Sequence, residues 1–358
     1  MQVARVRTTL MRNHPDAHHP VAQPPISDDA MTESQEHSSP SPLLSYLRLF
    51  RIPNVFTAFA DITMGFVFVN HSLESAGVFS CLILATGLLY TAGMVLNDVY
   101  DYQVDCKERP FRPIPAGEIP LGWARTLGYA MLVAGMGCAW LAGYVQPLPE
   151  NVMTWRGGVM AMLLATCIVW YNAQAKRTPA GPLAMGACRF FNILLGMSIA
   201  APAANAVALG FGTHHLIAAG GIGLYITGVT WFARNEAQKS SQQQLTSAFA
   251  TMAMGVLILG ILHETYRENV GNVLSSIRDK YMWWALLVLL MIPIARRCVV
   301  AIMRPSPLRV QTAVKQCILS LIMFDAAIAM NVAPLPFALG ILALLVPSLL
   351  LGKWMYST

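Results

Sequence analysis

The sequence predicts an all-α polytopic membrane protein, a helical bundle of nine or ten transmembrane helices. Three observations carry this. Hydrophobic residues make up 55% of the 358 positions and charged residues 12%, where soluble proteins carry roughly 25% charged residues. Apolar runs of about twenty residues recur, the length that crosses a hydrocarbon core. Lys and Arg are shared unevenly between alternate loops, as the positive-inside rule requires. The net charge of +6 belongs with that asymmetry and gives no nucleic-acid signal. Membrane lipid is the implied surrounding.

Residues 1–42 come first and differ from the rest. They hold six prolines, four of the eight histidines and no apolar core, the composition of a disordered tail. No apolar h-region follows the early arginines, so a cleaved signal peptide is not expected. His14, His18 and His19 have spacings that occur by chance in any His-rich tail.

The membrane domain spans 43–358. Its candidate helices are 55–71, 78–99, 122–145, 157–173, 182–205, 216–236, 246–264, 282–302, 312–331 and 335–352. Only NVAPLP separates the last two, which leaves the count at nine or ten. With the N-terminus inside, sixteen Lys and Arg fall on inside segments and four, Arg156, Arg267, Arg278 and Lys280, outside. This predicts a cytoplasmic N-terminus. It also sets NDVYDYQVD, NAQAKRTP and ARNEAQKSS on one cytoplasmic face, where three polar loops can build one site. The seven cysteines are scattered without a CxxC pair, and most sit in apolar segments as small hydrophobes. Neither a disulfide framework nor a zinc site is expected.

The stretch LNDVYDYQVDCKERPFRPIPAG, 96–117, carries the chemistry. On a helix advancing about 100° per residue, Asn97, Asp101, Asp105 and Asp98 fall within one sector about 100° wide. Like charges on one helix face repel, and hydrocarbon nearby raises the cost. A cation must compensate. Mg²⁺ takes one or two carboxylates together with phosphate oxygens and water. Arg109 and Arg112 follow on a chain broken by Pro110, Pro113 and Pro115, so they can fold back over the acids. Arginine is the bidentate partner of phosphate. A diphosphate held between Mg²⁺ and guanidinium fits this residue set; so does a solvated helix end whose acids pair with local arginines.

The same stretch resembles the first Asp-rich motif of the UbiA superfamily of intramembrane prenyltransferases. YNAQAKRTPAGPLAMGACRFFNILLGM, 171–197, resembles the family's next signature. The helix pattern extends the likeness over about 43–358. RLFRIPNVFTAFADITMGF, GVTWFARNEAQKSS and the ending GKWMYST are similar to the EboC branch, whose genes cluster with others of bacterial secondary metabolism and export to the periplasm. The resemblance implies that Asn97, Asp98, Asp101 and Asp105 bind Mg²⁺ and the diphosphate of a polyprenyl donor. It implies that Arg109, Arg112, Lys176 and Arg177 hold the diphosphate. Asp98, Asp101 and Asp105 are the catalytic acids it points to, together with Glu236 further along the chain, with an electron-rich, small and aromatic acceptor. A bacterial inner membrane and partner proteins of the same gene cluster follow from it too.

One departure stands out. The family's second Asp-rich motif corresponds here to TWFARNEAQKSSQQQL, which has no Asp. Glu236 is its one acid, and Arg234 and Lys239 make the segment positive. Either these cations take over as an anion clamp, or the donor differs, or the protein is a non-catalytic carrier or scaffold for an amphiphilic precursor. An ion-coupled transporter is the weakest reading, since no inverted repeat is evident.

Asp61, Arg189, Asn192 and Asp325 lie within apolar segments, where ionisable groups face the bundle interior. Asp61, Arg189 and Asn192 are expected either in the pocket, with Arg189 and Asn192 toward the diphosphate, or as an Asp61–Arg189 ion pair between helices. Asp325 is expected to be structural or to contact a partner. Gly186, Ala187, Gly196, Gly220, Gly221 and Gly223 are expected at close helix crossings.

Overall fold

The computed structural model describes residues 41–234, 241–270 and 276–357. The tail expected over 1–42 therefore lies, but for Ser41 and Pro42, outside the described residues.

Helices dominate. A short helix, α1 (Pro42–Phe50), turns at Arg51 into α2 (Ile52–Asn70). Arg51 sits in the left-handed region at φ 48°, and Pro53 starts the second helix on its own fixed φ. Then come α3 (Ala76–Tyr100), α4 (Tyr102–Glu108), α5 (Leu121–Leu141), α6 (Arg156–Ala173) and α7 (Gly181–Gly196). A hairpin of β1 (Ala206–Ala208) and β2 (Phe211–Gly212) precedes α8 (Thr213–Ala233). The chain continues through α9 (Gln242–Gly260), α10 (Leu262–Val270), α11 (Lys280–Met303), α12 (Pro307–Val332), α13 (Leu335–Ala343) and α14 (Leu345–Ser357).

Among the described residues, seven stretches are long and apolar enough to cross a membrane: α2, α3, α8, α9 with α10, α11, α12 and Leu335–Lys353. The polytopic expectation is met, and the predicted spans coincide with these and with α5, α6 and α7. The last predicted span is two helices, broken at Leu344. The predicted span 182–205 is corrected at its C-terminal end. Helix α7 stops at Gly196, and the residues after it form the irregular stretch and hairpin that lead to α8. With 16 residues at about 1.5 Å rise, α7 is short of a full bilayer.

Arg156, counted above among loop cations, is instead buried at 1% exposure. It donates to the carbonyls of Ser198 (2.7 Å), Ala200 (2.6 Å) and Leu209 (3.3 Å), and its guanidinium covers the ring of Phe211. Backbone groups that the irregular stretch leaves unpaired thus find a buried donor.

Helices α2 and α12 are the most enclosed of the spans, α11 and the last the least. Small residues set the crossings. A Cβ on Gly196 would stand 2.6 Å from the carbonyl oxygen of Ile62, and one on Gly65 2.6 Å from that of Ile193. Helices α2 and α7 meet backbone to backbone there. Gly186 and Gly221 mark similar approaches, whereas Gly220 faces open space.

Candidate functional site

The acid stretch straddles a break. Helix α3 ends at Tyr100 and α4 starts at Tyr102, with Asp101 between them at φ −91°, ψ 0°. Hydrogen bonds bridge the break, from Asp101 N to Asn97 O (3.0 Å) and from Asp105 N to Asp101 O (2.8 Å). The side chains therefore keep nearly helical spacing, and Asn97, Asp98, Asp101 and Asp105 gather at one end of the bundle.

The loop after α4 returns to them. Ile114 and Ile119 bury against Leu49, Val95, Val99 and Ala124, a small core separate from the main one. Gly117, at φ 77°, makes the turn that only glycine takes without strain. Anchored this way, Arg112 Nη1 reaches Asp105 Oδ2 at 2.6 Å and Asp98 Oδ1 at 3.2 Å. Asp98 also receives Arg51 Nη2 at 2.8 Å. Asp101 receives Lys176 Nζ at 2.7 Å, with Arg177 Nη2 at 3.9 Å. Lys176 lies 3.4 Å from Asn97 Oδ1. Arg109 makes no ion pair among the described residues.

Asp98 and Asp105 are buried. Burial is the main effect at Asp105 and raises its carboxyl above the ordinary 3.8, although Arg112 pulls the other way. Burial likewise lowers the Lys176 ammonium below its ordinary 10.5, against the pull of Asp101. Both shifts follow from desolvation of the charged form.

Beside the acids lies a cavity of about 370 Å³ in the bundle, reached from the cluster by Asn97 and by Arg51, the partner of Asp98. Arg51, Asn54 and Asn97 stand on its wall, with Tyr90, Tyr171 and Asn172 among the residues further along it. Ile168, Ile226, Val229, Ile318 and Leu321 give it apolar sides. Arg189 and Asn192 line it too, but do not join the Asp98–Asp105 cluster. Arg189 Nη1 pairs with Asp61 Oδ2 at 2.7 Å, and Nη2 donates to Thr57 Oγ1 at 2.8 Å. Asn192 donates to Asp61 and to Ala58 O at 3.2 Å each, and accepts from Thr86 at 2.5 Å. Asp61 and Arg189 thus form the ion pair that was one expectation, while Arg189 and Asn192 also stand on the cavity wall. Asp325 is fully buried and lies against Asp61. Arg234 is exposed at the end of α8, and Glu236 and Lys239 lie outside the described residues.

Sequence reasoning missed Arg51, which it counted only as an inside charge. It is 47 residues from Asp98 in the chain, and no local spacing signals that pairing.

Asp98 and Asp105 turn carboxylate oxygens toward one position, which the guanidinium nitrogen Nη1 of Arg112 holds within 3.2 Å of both. A hard divalent cation fits that donor set. As the side chains stand, no three acids among the described residues converge on one ion position, because Asp101 turns to Lys176. A metal would take over from the cationic side chains.

Fold and site together define an integral membrane protein with an acid-and-cation cluster beside an intramembrane cavity that Asn97 and Arg51 line. The chain belongs to the UbiA prenyltransferase family, whose sequence profile matches residues 58–306. It is 33% identical over 137 residues to digeranylgeranylglyceryl phosphate synthase of Saccharolobus solfataricus, covering 38% of this chain and 44% of that protein. It is 30% identical over 133 residues to the protein of that name from Metallosphaera sedula, covering 37% and 43%. The matched stretch thus spans less than half of these curated relatives. Among solved structures, a UbiA homologue from Aeropyrum pernix K1 superposes with TM-score 0.54 at 17% identity, covering 78% of this chain and 97% of that one. A UbiA homologue from Archaeoglobus fulgidus bound to DMAPP and Mg²⁺ superposes with TM-score 0.51 at 13% identity, covering 84% and 99%. The likeness to these structures is one of fold.

Proposed function

We propose that the protein transfers an isoprenoid group from a polyprenyl diphosphate to a small aromatic acceptor inside the membrane, with Mg²⁺ at the acid cluster. The observation that carries this reading is the set Asp98, Asp101 and Asp105, each paired with a cation, next to a 370 Å³ cavity that Asn97 and Arg51 of the same cluster line. The Archaeoglobus homologue solved with DMAPP and Mg²⁺ supports it.

Asn97, Asp98, Asp101 and Asp105 would hold the metal, which when bound supplies charge stabilisation for a leaving diphosphate. Arg51, Arg112, Lys176 and Arg177, freed from the acids, hold the donor's phosphates, and Arg109 has no acid to leave. In the reaction the allylic C–O bond breaks and its electron pair leaves with the diphosphate. These cations stabilise the charge that develops there. The apolar walls keep water from the allylic cation. Tyr90 and Tyr171 stand on the same wall, and aromatic faces attract cations. The acceptor's π or lone-pair electrons form the new bond, and its proton is released.

The excess of Lys and Arg on alternate loops supports a cytoplasm-facing site and a cytoplasmic N-terminus in a bacterial inner membrane. The EboC-like segments support a place in secondary metabolism, with other proteins of one gene cluster as partners. With Glu236 as the one acid in the second segment, Arg234 and Lys239 serve as fixed cations there.

The test is binding of geranyl, farnesyl and geranylgeranyl diphosphate to purified protein, with and without Mg²⁺, and diphosphate release with an aromatic acceptor. Mg²⁺-dependent binding and release, both lost in Asp101→Asn, are expected. Release near wild type in that variant overturns the assignment. Metal-independent binding of an amphiphile with no covalent product favours the carrier reading.

A further inference from the structure

A second polar recess lies outside the bundle, behind the acid stretch. It has a volume of about 400 Å³ and is lined by Val99, Tyr100, Tyr102, Gln103, Leu121, Arg125 and Tyr129. Arg125 stands in the first turns of α5, is exposed, and makes no ion pair among the described residues. It shares the wall of this recess with Tyr100. The hydroxyls of Tyr100 and Tyr129 meet at 2.8 Å. The recess therefore offers one guanidinium, a carboxamide and phenolic hydroxyls, which are donors for an anionic oxygen.

A second groove continues from it along α5. Arg125 and Tyr129 belong to both, and Thr126, Ala130, Val133 and Ala134 carry the track on. These residues recur at helical spacing on one exposed face, where Val133 is 65% exposed. Small side chains at 130 and 134 leave a shallow channel running from the cation toward the bilayer interior. Depth is fixed independently. Trp123 is 53% exposed, donates to the Tyr46 hydroxyl at 3.0 Å, and stands with three tyrosines at this end of the helices. Such rings anchor at the headgroup level. A cation at that level with an apolar track below it matches the two halves of a lipid.

We propose that this groove binds an anionic phospholipid, its phosphate on Arg125 and the Tyr100–Tyr129 pair and one acyl chain along Ala130, Val133 and Ala134. The site adjoins the acid cluster without belonging to it. The carbonyl of Tyr100 accepts from Arg177 Nη2 at 3.4 Å, and Arg177 faces Asp101.

Native mass spectrometry of the full chain with phosphatidylglycerol and phosphatidylcholine tests this. One retained phosphatidylglycerol is expected, preferred over phosphatidylcholine about fivefold, the effect of one basic residue at an anionic membrane surface. Arg125→Gln is expected to abolish the preference. Ala134→Trp, which fills the track and leaves the cation, is expected to reduce retention of phosphatidylglycerol. Equal retention of the two lipids overturns the proposal, as does a preference that survives Arg125→Gln. Displacement of the lipid by millimolar inorganic phosphate would mark a site for free phosphate and overturn it as well.

Discussion

Arg112 and Asp105 lie seven residues apart in the chain and 2.6 Å apart in space, joined across the end of α4 by a loop that a small apolar core folds back. The same Arg112 nitrogen touches Asp98, so one side chain holds two buried acids. Arg112→Ala should therefore cost stability as well as ligand. Asp105 loses its ion-pair partner among the described residues while Asp98 keeps Arg51. The expected loss is about 3 kcal/mol, the scale for stranding one buried charge, read as a lowered Tm in detergent. Donor diphosphate binding should weaken at least tenfold. Unchanged Tm and binding together would refute the pairing.

Activity should follow a narrowed pH profile. Burial raises the Asp105 carboxyl above 3.8, so as pH falls this acid becomes neutral before an ordinary carboxylate does, and Mg²⁺ binding weakens early on the acid side. Burial lowers the Lys176 ammonium below 10.5, so as pH rises its charge is lost before that of an ordinary lysine, and diphosphate binding weakens early on the alkaline side. Diphosphate binding measured against pH should be bell-shaped, with both limbs inside these ordinary values. A Lys176→Arg variant should move the alkaline limb outward, since arginine stays charged.

The Asp61–Arg189 pair, at 2.7 Å, ties α2 to α7 within the membrane. Asp61→Asn should cost about 3 kcal/mol by leaving a buried guanidinium short of its counter-ion. The double variant Asp61→Asn with Arg189→Met should cost less than the two single changes added. Strict additivity in thermal unfolding would show that the pair does not couple.

Two glycines make a matched comparison. Gly196→Leu should lower stability by about 1–3 kcal/mol, because its Cβ would meet the Ile62 carbonyl at 2.6 Å. Gly220→Leu, with nothing within 4 Å of its Cβ, should stay within about 0.5 kcal/mol of wild type. Equal effects in thermal unfolding would contradict the α2–α7 crossing.

Much of this was legible in the chain. Apolar length marked the spans, and the spacing of Asn97, Asp98, Asp101 and Asp105 marked one helix face, because both depend on local repeats. The ion pair of Asp61 and Arg189 was readable as an alternative, since charges inside a membrane must find partners. Arg51 was not, because a left-handed turn between α1 and α2 delivers it to Asp98, and no local repeat encodes that turn. The early stop of α7 was hidden for a related reason. The residues after Gly196 are apolar enough to look helical, and what holds them otherwise is Arg156, more than forty residues upstream.

That arginine also bears on biogenesis. It opens α6, yet every carbonyl it binds is made 42 to 53 residues later. A nascent chain that has inserted only α6 carries a guanidinium with no protein partner. Its acceptors arrive once α7 and the β1–β2 hairpin have been made. The packing that buries Arg156 is therefore completed only after both have been made.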